Sequence, residues 1–158
     1  MGVYRQLACN GCGRAARYAS DALAHFGIGP AFGRLHGGPV RGGVLVQLDD
    51  IGFVYIPQSC TVNATACAVH VVFHGCKQGA KAVGSGVYSS VGYNRWADSN
   101  GVIVLYPQAV ATPAGQLLPF NPEGCWDWWG YSGFNFQVKS GVQLAAVKAM
   151  VDRLTLAR

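Results

Sequence analysis

The sequence predicts an α/β fold, in which helices flank a largely parallel β-sheet. Two short runs, residues 69–73 and 102–106, are dominated by β-branched and other apolar residues, which is typical of strands buried on both faces. Residues 87–99 lie between the two runs and are predicted to form a helix, and residues 139–156 a second one. A strand, a helix, a strand, a long loop and a helix follow one another in the order expected of an α/β unit. Because two buried strands are few for such a sheet, we expect the sheet to be partial.

The segments before the first buried strand are assigned from their periodicity and their turn residues. Residues 14–26 have a helical period and predict a short surface helix packed through small residues. Residues 44–48 can form a strand, and residues 52–57 alternate as a further strand would. Residues 60–67 are interpreted as a polar turn that leads into the first buried strand.

The segments after the first buried strand contain clear stop signals. The first of the two flanking helices ends at Asn100-Gly101, a pair that favours left-handed backbone, and the second buried strand is closed by Pro107. Residues 109–137 are rich in Pro, Gly and aromatic residues and predict a long loop, which in a compact domain is usually functional. The apolar face of the last helix is expected to consist of Leu144, Val147, Val151 and Leu154.

Length and composition limit the possible functions. The whole chain, residues 1–158, fits a single domain, and a chain of this length buries roughly 68–70% of its unfolded surface. Only 12% of the residues are charged and 51% are hydrophobic, so a disordered tail is excluded. The net charge of +5 is scattered rather than clustered, which argues against nucleic-acid binding. No apolar run approaches the roughly 18 residues that a membrane span requires.

The six cysteines of this weakly charged chain favour an oxidising compartment. Residues 1–5, however, show no basic head before an apolar core, so no signal peptide is predicted. A fragment of a longer secreted protein, or a start codon inside a longer reading frame, would reconcile the two observations. Cys9 and Cys12 form a CxxC pair that no predicted strand precedes, so a redox pair is disfavoured. A zinc site that adds Cys60 and Cys67 is disfavoured by the six residues between them, which leaves disulfides as the default.

The first buried strand runs directly into the motif HGCKQ, residues 74–78, whose backbone N–H groups lie beyond the carboxyl end of the strand. Many α/β-hydrolases build half of their oxyanion hole from a His-Gly pair at this place. Three further blocks follow: GYNRWADSNGVIVLYPQ at 92–108, NPEGCWDWWGYSG at 121–133 and KSGVQLAAVKAMVDRL at 139–154. In this order and spacing the blocks resemble the carboxyl-terminal half of single-domain polyhydroxybutyrate (PHB) depolymerases, which are circularly permuted α/β-hydrolases. The resemblance is close from about residue 52 to the end and looser over residues 1–50.

The resemblance implies a partial, circularly permuted α/β-hydrolase sheet with flanking helices, and it gives Cys76 a role. The backbone N–H of Cys76 matches the family's oxyanion-hole donor in the same HGC turn. As a half-cystine, Cys76 is expected to pair with Cys125, and Cys60 with Cys67. The two roles of Cys76 are compatible, because one uses the amide and the other the sulfur.

The aromatic residues beside Cys125 are the candidate substrate-binding group: Trp126, Trp128, Trp129 and Tyr131. The family uses a tryptophan from this region to line an apolar crevice for a polymer chain. The alternative is that at least two of the three tryptophans belong to the core. Asp127, which lies among them, is interpreted as a satisfied carboxylate rather than as a triad acid, because the family takes that acid from elsewhere.

A nucleophilic serine cannot be identified. No serine lies in the Gly-x-Ser-x-Gly motif that a nucleophile elbow requires. No histidine precedes Cys9, where the resemblance would place the base, and His74 is interpreted as a residue that shapes the turn. In the permuted family the serine, the acid and the base all come from earlier in the chain.

The resemblance therefore implies an extracellular or periplasmic ester hydrolase of the PHB depolymerase type. This chain would contribute an oxyanion hole and a substrate crevice but lack the nucleophile, so that alone it would be inactive. The alternatives are a non-catalytic polymer-binding module and an inactive fragment. The expected partner is a polyester or a hydroxyalkanoate ester, and no cofactor, metal ion or nucleic acid is expected.

Overall fold

The computed structural model describes residues 47–49, 52–62 and 67–156. The elements in chain order are β1 (Phe53–Tyr55), α1 (Gln58–Val62), β2 (Ala68–Val71), α2 (Ala80–Val83), α3 (Gly86–Ser90), α4 (Tyr93–Asn100), β3 (Val102–Tyr106) and α5 (Val142–Leu156). The helix predicted over residues 14–26 and the CxxC pair lie outside the described residues. Among the described residues, none of the helices combines the length and the apolar composition that a membrane span requires.

The three strands form one small mixed sheet in the order β1-β3-β2. β2 and β3 are parallel, with Val69 opposite Ile103, and β1 pairs with β3 in the antiparallel direction. The parallel pair with helices between its strands confirms the predicted α/β unit. Among the described residues β2 is an edge strand, and its alternate residues Ala68 and His70 are exposed. The prediction that this first strand is buried on both faces was therefore wrong, whereas β3 is central and almost entirely buried.

The core lies on both faces of β3, because successive side chains of a strand point to opposite sides. On one face Val104 and Tyr106 pack with Ala97 of α4, and the Tyr106 hydroxyl donates a hydrogen bond of 2.7 Å to buried Asn94. On the other face Leu105 packs against Met150 of α5. Fully burying one such aliphatic side chain is worth roughly 1.5–3 kcal/mol. The sheet is thus held between α4 and α5, which fixes the carboxyl end of β2.

The helices differ from prediction in three places. The helix expected over residues 87–99 is two helices, α3 and α4, because Gly92 between them adopts a φ of 92° that ends the helical path. The polar turn expected from residue 60 begins instead with the short helix α1. In α5 the inward positions include Ala146 and Met150, whereas Leu144 is 43% exposed. Of the predicted apolar face, Val147 is buried and Val151 and Leu154 pack against the core around Met150, so the prediction was wrong only for Leu144.

Candidate active site

A tight turn follows β2 and has the exposed residue Cys76 at its centre. The Gln78 N–H donates to the Gly75 carbonyl at 3.1 Å, which closes a turn with Cys76 and Lys77 at its centre. Lys77 has a φ of 59° while Cys76 does not have a positive φ, the pattern of a type II β-turn. Cys76 is exposed, and no acceptor for its N–H is found in the described part of the chain. This amide therefore has no hydrogen-bond partner among the described residues.

A buried histidine holds the turn against the end of β3. His74 is 4% exposed, and its Nε2 accepts a hydrogen bond of 3.0 Å from the Ala109 N–H. Since a nitrogen that accepts carries no proton, the ring proton lies on Nδ1, which donates to the Gly75 carbonyl at 2.8 Å. The position agrees with the interpretation of His74 as a residue that shapes the turn.

Covalent and polar links join the turn to residues 121–125 of the long loop. A disulfide connects Cys76 with Cys125, with 4.2 Å between their Cα atoms. The Lys77 N–H donates to the Glu123 carbonyl at 2.7 Å. The Lys77 ammonium also lies 2.7 Å from Glu123 Oε2, an ion-pair distance without hydrogen-bond alignment, and this exposed pair is worth little. The disulfide and the backbone hydrogen bond therefore fix the amide of residue 76 relative to the tryptophans.

The second disulfide joins Cys60 with Cys67, which are both buried. Two sulfurs bonded to each other cannot serve a zinc ion as separate thiolates, so the zinc alternative is excluded for this pair. Within residues 47–49, 52–62 and 67–156, no group of three or more His, Cys, Asp or Glu side chains is placed to hold a metal ion.

Asn121 organises the start of the aromatic segment. Its side chain is fully buried, and its amide donates to the carbonyls of Val110 and Cys125 at 3.2 and 3.0 Å. Its Oδ1 accepts from the Cys125 N–H at 2.9 Å. Because the donors and the acceptor of this buried side-chain amide are all engaged with backbone groups, the side chain holds together a loop that has no regular secondary structure. The sequence analysis missed Asn121, whose only signal was its place four residues before Cys125.

Asp127 fixes the backbone that carries the tryptophans. Its carboxylate accepts five hydrogen bonds of 2.6–3.2 Å, from the backbone N–H groups of Trp129, Gly130, Tyr131 and Ser132 and from the Ser132 hydroxyl. Burial opposes ionisation, but the hydrogen bonds from Ser132, Gly130 and Tyr131 outweigh it and lower the pKa of Asp127 below its ordinary value of 3.8. The carboxylate is thus satisfied, as expected, by a local turn rather than by a histidine.

Gln143, at the start of α5, connects this turn to the helix. Its Oε1 accepts from the Asp127 N–H at 2.8 Å, and its Nε2 donates to the Tyr131 hydroxyl at 2.7 Å. The Tyr131 hydroxyl in turn donates to the Cys125 carbonyl at 2.8 Å. Burial raises the pKa of Tyr131, the hydrogen bond from Gln143 opposes this effect, and the negative charge of Asp127 adds to it. Tyr131 is therefore a neutral structural link between the loop and α5, and sequence reasoning missed Gln143 because glutamine in a helix gives no distinctive signal.

An aromatic crevice of about 440 Å³ opens beside the turn. Its walls come from the end of β2, the tryptophan segment and α5: Phe73, Trp126, Asp127, Trp128, Phe136, Gln137, Gln143, Leu144 and Val147. Phe73 and Trp126 meet edge to face, with 4.9 Å between their ring centroids. Phe73 lies three residues before Cys76, and Trp126 follows its disulfide partner, so both walls connect directly to the turn.

The tryptophans do not share one environment. Trp128 is 72% exposed and Trp129 is 37% exposed, so the alternative that at least two of the three belong to the core is excluded. Their rings lie 5.1 Å apart, and the Tyr131 ring is 4.9 Å from that of Trp129. Trp126 and Trp128 line the crevice, whereas Trp129 and Tyr131 pack beside it. The crevice also uses Phe73 and the first turns of α5, which the sequence analysis did not select.

The lowered pKa of Asp127 leads to a prediction for acid stability. The carboxylate should contribute fully above its unfolded value of about 3.8, and the contribution should be lost as the pH falls through the lower native pKa. Urea unfolding of wild type and Asp127→Asn should therefore show a difference in free energy of unfolding that is largest near neutral pH and shrinks below pH 3.8. Asp98, on the other side of the sheet core, provides the control Asp98→Asn. A wild-type-minus-Asp127→Asn difference that stays constant down to pH 2 would contradict the assignment.

The free amide at the end of a parallel strand and the apolar crevice beside it are features of a hydrolase-like α/β protein. Solved structures agree with this class. A serine-to-alanine variant of a PHB depolymerase complexed with R3HB trimer matches 70% of this chain with a TM-score of 0.64 and 42% identity. A PHB depolymerase from Penicillium funiculosum matches the same share with a TM-score of 0.63 and 43% identity. In both cases this chain covers 36% of the solved chain.

Curated sequences identify the relatives more closely. A polyhydroxybutyrate depolymerase from Talaromyces funiculosus is 44% identical over an alignment of 113 residues that covers 68% of this chain. A poly(3-hydroxybutyrate) depolymerase from Delftia acidovorans is 47% identical over 105 residues, or 66% of this chain. No protein-family model matches. Over about two thirds of its length the chain is thus homologous to PHB depolymerases, which confirms the resemblance, and it spans 33% and 20% of the length of these two relatives.

Proposed function

We propose that this chain is the carboxyl-terminal portion of a serine esterase that hydrolyses poly(3-hydroxybutyrate)-like polyesters or short hydroxyalkanoate esters. In this proposal the chain belongs to a circularly permuted α/β-hydrolase, of which residues 1–158 form one unit. It supplies half of an oxyanion hole and the substrate crevice. The nucleophilic serine comes from polypeptide outside this sequence, since no Gly-x-Ser-x-Gly motif occurs in it, and the resemblance places the base and the acid there as well.

The observation that carries the proposal is the position of the Cys76 amide. It follows the end of a strand that is parallel to its neighbour, it is exposed, and its segment is cross-linked to the tryptophan segment. Ester hydrolysis through an acyl-enzyme begins when a serine oxygen attacks the ester carbonyl, whose oxygen becomes negatively charged. A fixed backbone N–H directed at that oxygen stabilises the transition state more than the substrate, because the charge exists only in the former.

The crevice supports a polymeric, apolar substrate. Its lining is largely aromatic and aliphatic, and the side chains exposed in it carry no positive charge that would recognise an anionic substrate. A volume of about 440 Å³ lies within the range of roughly 300–1,000 Å³ for small-molecule sites. One or a few hydroxyalkanoate units of an uncharged chain would fit these properties. The two disulfides also favour action in an oxidising, extracellular or periplasmic setting.

The proposed esterase function is tested by joining this chain to the part of a homologous enzyme that carries the catalytic serine. The 158-residue chain should replace the homologous segment of the Talaromyces funiculosus enzyme, and the fusion should be assayed on PHB films and on p-nitrophenyl butyrate. We expect the fusion to hydrolyse both substrates and the chain alone to hydrolyse neither at a measurable rate. A fusion that folds, by circular dichroism, but releases no product would reject the esterase proposal. Binding of PHB by that inactive fusion would favour the polymer-binding module instead.

A tryptophan substitution tests the crevice separately. Trp128→Ala should weaken binding of the chain to PHB particles about tenfold, because a tryptophan buries a large apolar area when a ligand covers it. Trp96→Ala is the matched control, since Trp96 is 73% exposed, as Trp128 is 72% exposed, but lies on α4 and does not line the crevice. Sedimentation of the chain with PHB particles measures both variants. Equal losses for the two variants would indicate nonspecific adsorption through exposed aromatic residues.

A further inference from the structure

We propose that His74 is a positioning residue that aims the Cys76 amide at the oxyanion and strengthens it as a donor. This inference rests on the proposed function. In that proposal the His74 side chain touches neither the substrate nor the nucleophile. The carbonyl that His74 binds and the amide that Cys76 presents belong to the same peptide group, the one joining Gly75 to Cys76. Holding one end of that peptide therefore sets the direction of the other.

The geometry follows from the planarity of the peptide. In a trans peptide the C=O and the N–H point in opposite directions within one plane. The Gly75 carbonyl accepts from two donors: His74 Nδ1 at 2.8 Å and the Gln78 N–H at 3.1 Å. His74 is buried, whereas Cys76 is exposed. The carbonyl thus points towards the protein interior and the Cys76 N–H points away from it, to the side where a ligand can approach.

His74 can hold the peptide because its own ring is held. The Ala109 N–H donates to Nε2 at 3.0 Å, which keeps the ring proton on Nδ1, the nitrogen that faces the Gly75 carbonyl. The Trp126 ring, which lines the crevice, has its centroid 5.6 Å from that of the imidazole ring. Gly79 leaves room for the ring, since a Cβ there would lie 3.3 Å from it. The imidazole therefore fixes the Gly75–Cys76 peptide relative to the end of β3.

The same hydrogen bond has an electronic effect. Hydrogen bonds in a chain polarise one another, so a donor on the Gly75 carbonyl makes the N–H of that peptide a better donor. The benefit is largest when the acceptor is an oxyanion, which exists only in the transition state. Loss of the hydrogen bond should therefore lower kcat and leave KM nearly unchanged.

Two substitutions separate the two nitrogens of His74. His74→Asn places an amide near the Nδ1 position and retains the donor to the Gly75 carbonyl, whereas His74→Gln reaches the Nε2 position and retains the acceptor for the Ala109 N–H. Each variant loses one ring and one hydrogen bond, so a purely structural role predicts similar losses in both. The proposal predicts that kcat of the active fusion falls about tenfold more in His74→Gln than in His74→Asn, with KM within about twofold in both.

A spectroscopic measurement on the 158-residue chain decides the geometry without any turnover. In isotope-labelled protein the Gly75 carbonyl carbon and the Cys76 amide nitrogen resonances should move upfield in His74→Gln and stay near their wild-type positions in His74→Asn. Identical shifts in both variants, or equal losses of kcat, would overturn the role of His74. If the wild-type fusion is inactive while the resonances differ as expected, the proposed esterase function fails, and His74 is left as a residue that orients the peptide without a catalytic purpose.

Discussion

Replacement of Cys76 by proline is expected to lower kcat of the reconstituted esterase by about 10²–10³, the loss typical of one oxyanion-hole donor. Proline has no backbone N–H, so the substitution removes the oxyanion-hole donor on which the proposed function depends. The backbone should tolerate it, because Cys76 occupies the first central position of a type II turn, where proline is favoured. The residue before it is Gly75, which adapts readily to a following proline.

The control must account for the disulfide, which any substitution of Cys76 breaks. We therefore compare Cys76→Pro/Cys125→Ala with Cys76→Ala/Cys125→Ala, since both pairs lack the bridge and only the second retains the amide. Both variants are assayed as fusions, at a temperature at which circular dichroism shows them folded. The loss should appear in kcat. Equal rates in the two double variants would remove the oxyanion assignment of Cys76.

The two disulfides are expected to differ in their contribution to stability. The bridge between Cys76 and Cys125 spans a sequence separation of 49, and that between Cys60 and Cys67 a separation of 7. In the chain-entropy model the longer loop is worth about 4 kcal/mol and the shorter one about 2.5 kcal/mol, because the larger loop restricts more of the unfolded chain. Alanine replacement of both cysteines of a pair should lower the free energy of unfolding by these amounts.

Urea unfolding of the two double variants measures these losses. Each variant is the control for the other, because both replace two cysteines by alanine. Removal of the Cys76–Cys125 bridge should also increase the mobility of the tryptophan segment, which quenching of tryptophan fluorescence by acrylamide detects. The Cys60–Cys67 variant should leave that quenching unchanged, since this bridge packs beside Ile103 and away from the crevice. A larger loss of stability from the short loop would show that native packing, rather than loop entropy, determines the contribution.

Local sequence signals were sufficient where the chain depends on its immediate neighbours. The apolar run over residues 102–106 gave the central strand, and Gly101 ends α4 in left-handed backbone as its sequence context indicates. The motif HGCKQ located the turn, since a polar turn after an apolar strand is a local property. The alternation over residues 52–57 likewise gave β1. These predictions were correct because strand burial and turn type are encoded within a few residues.

Predictions that depended on which faces are covered were less successful. The strand at residue 69 has the composition of a doubly buried strand, yet among the described residues it forms the edge of the sheet and alternates in exposure. Whether a strand is central or at the edge of a sheet depends on partners that are distant in sequence. The composition of the strand itself does not indicate these partners. The single misplaced residue of α5 has the same origin, because Leu144 is apolar enough for the core but lines the crevice.

The sequence alone determined the α/β class, the turn that follows the first apolar strand, and the resemblance to PHB depolymerases, because each depends on residue types at short spacing. Only the tertiary structure decided that Asn121 holds the loop and that Gln143 links it to α5. It also decided which partners His74 and Asp127 bind, since the sequence had indicated only that the first shapes the turn and the second is satisfied. Hydrogen bonds between groups 16 to 35 residues apart, such as those from Asp127 to Gln143 and from Ala109 to His74, leave no periodic trace in a sequence. They form only after β2, β3 and α5 have packed and excluded water from the polar groups between them.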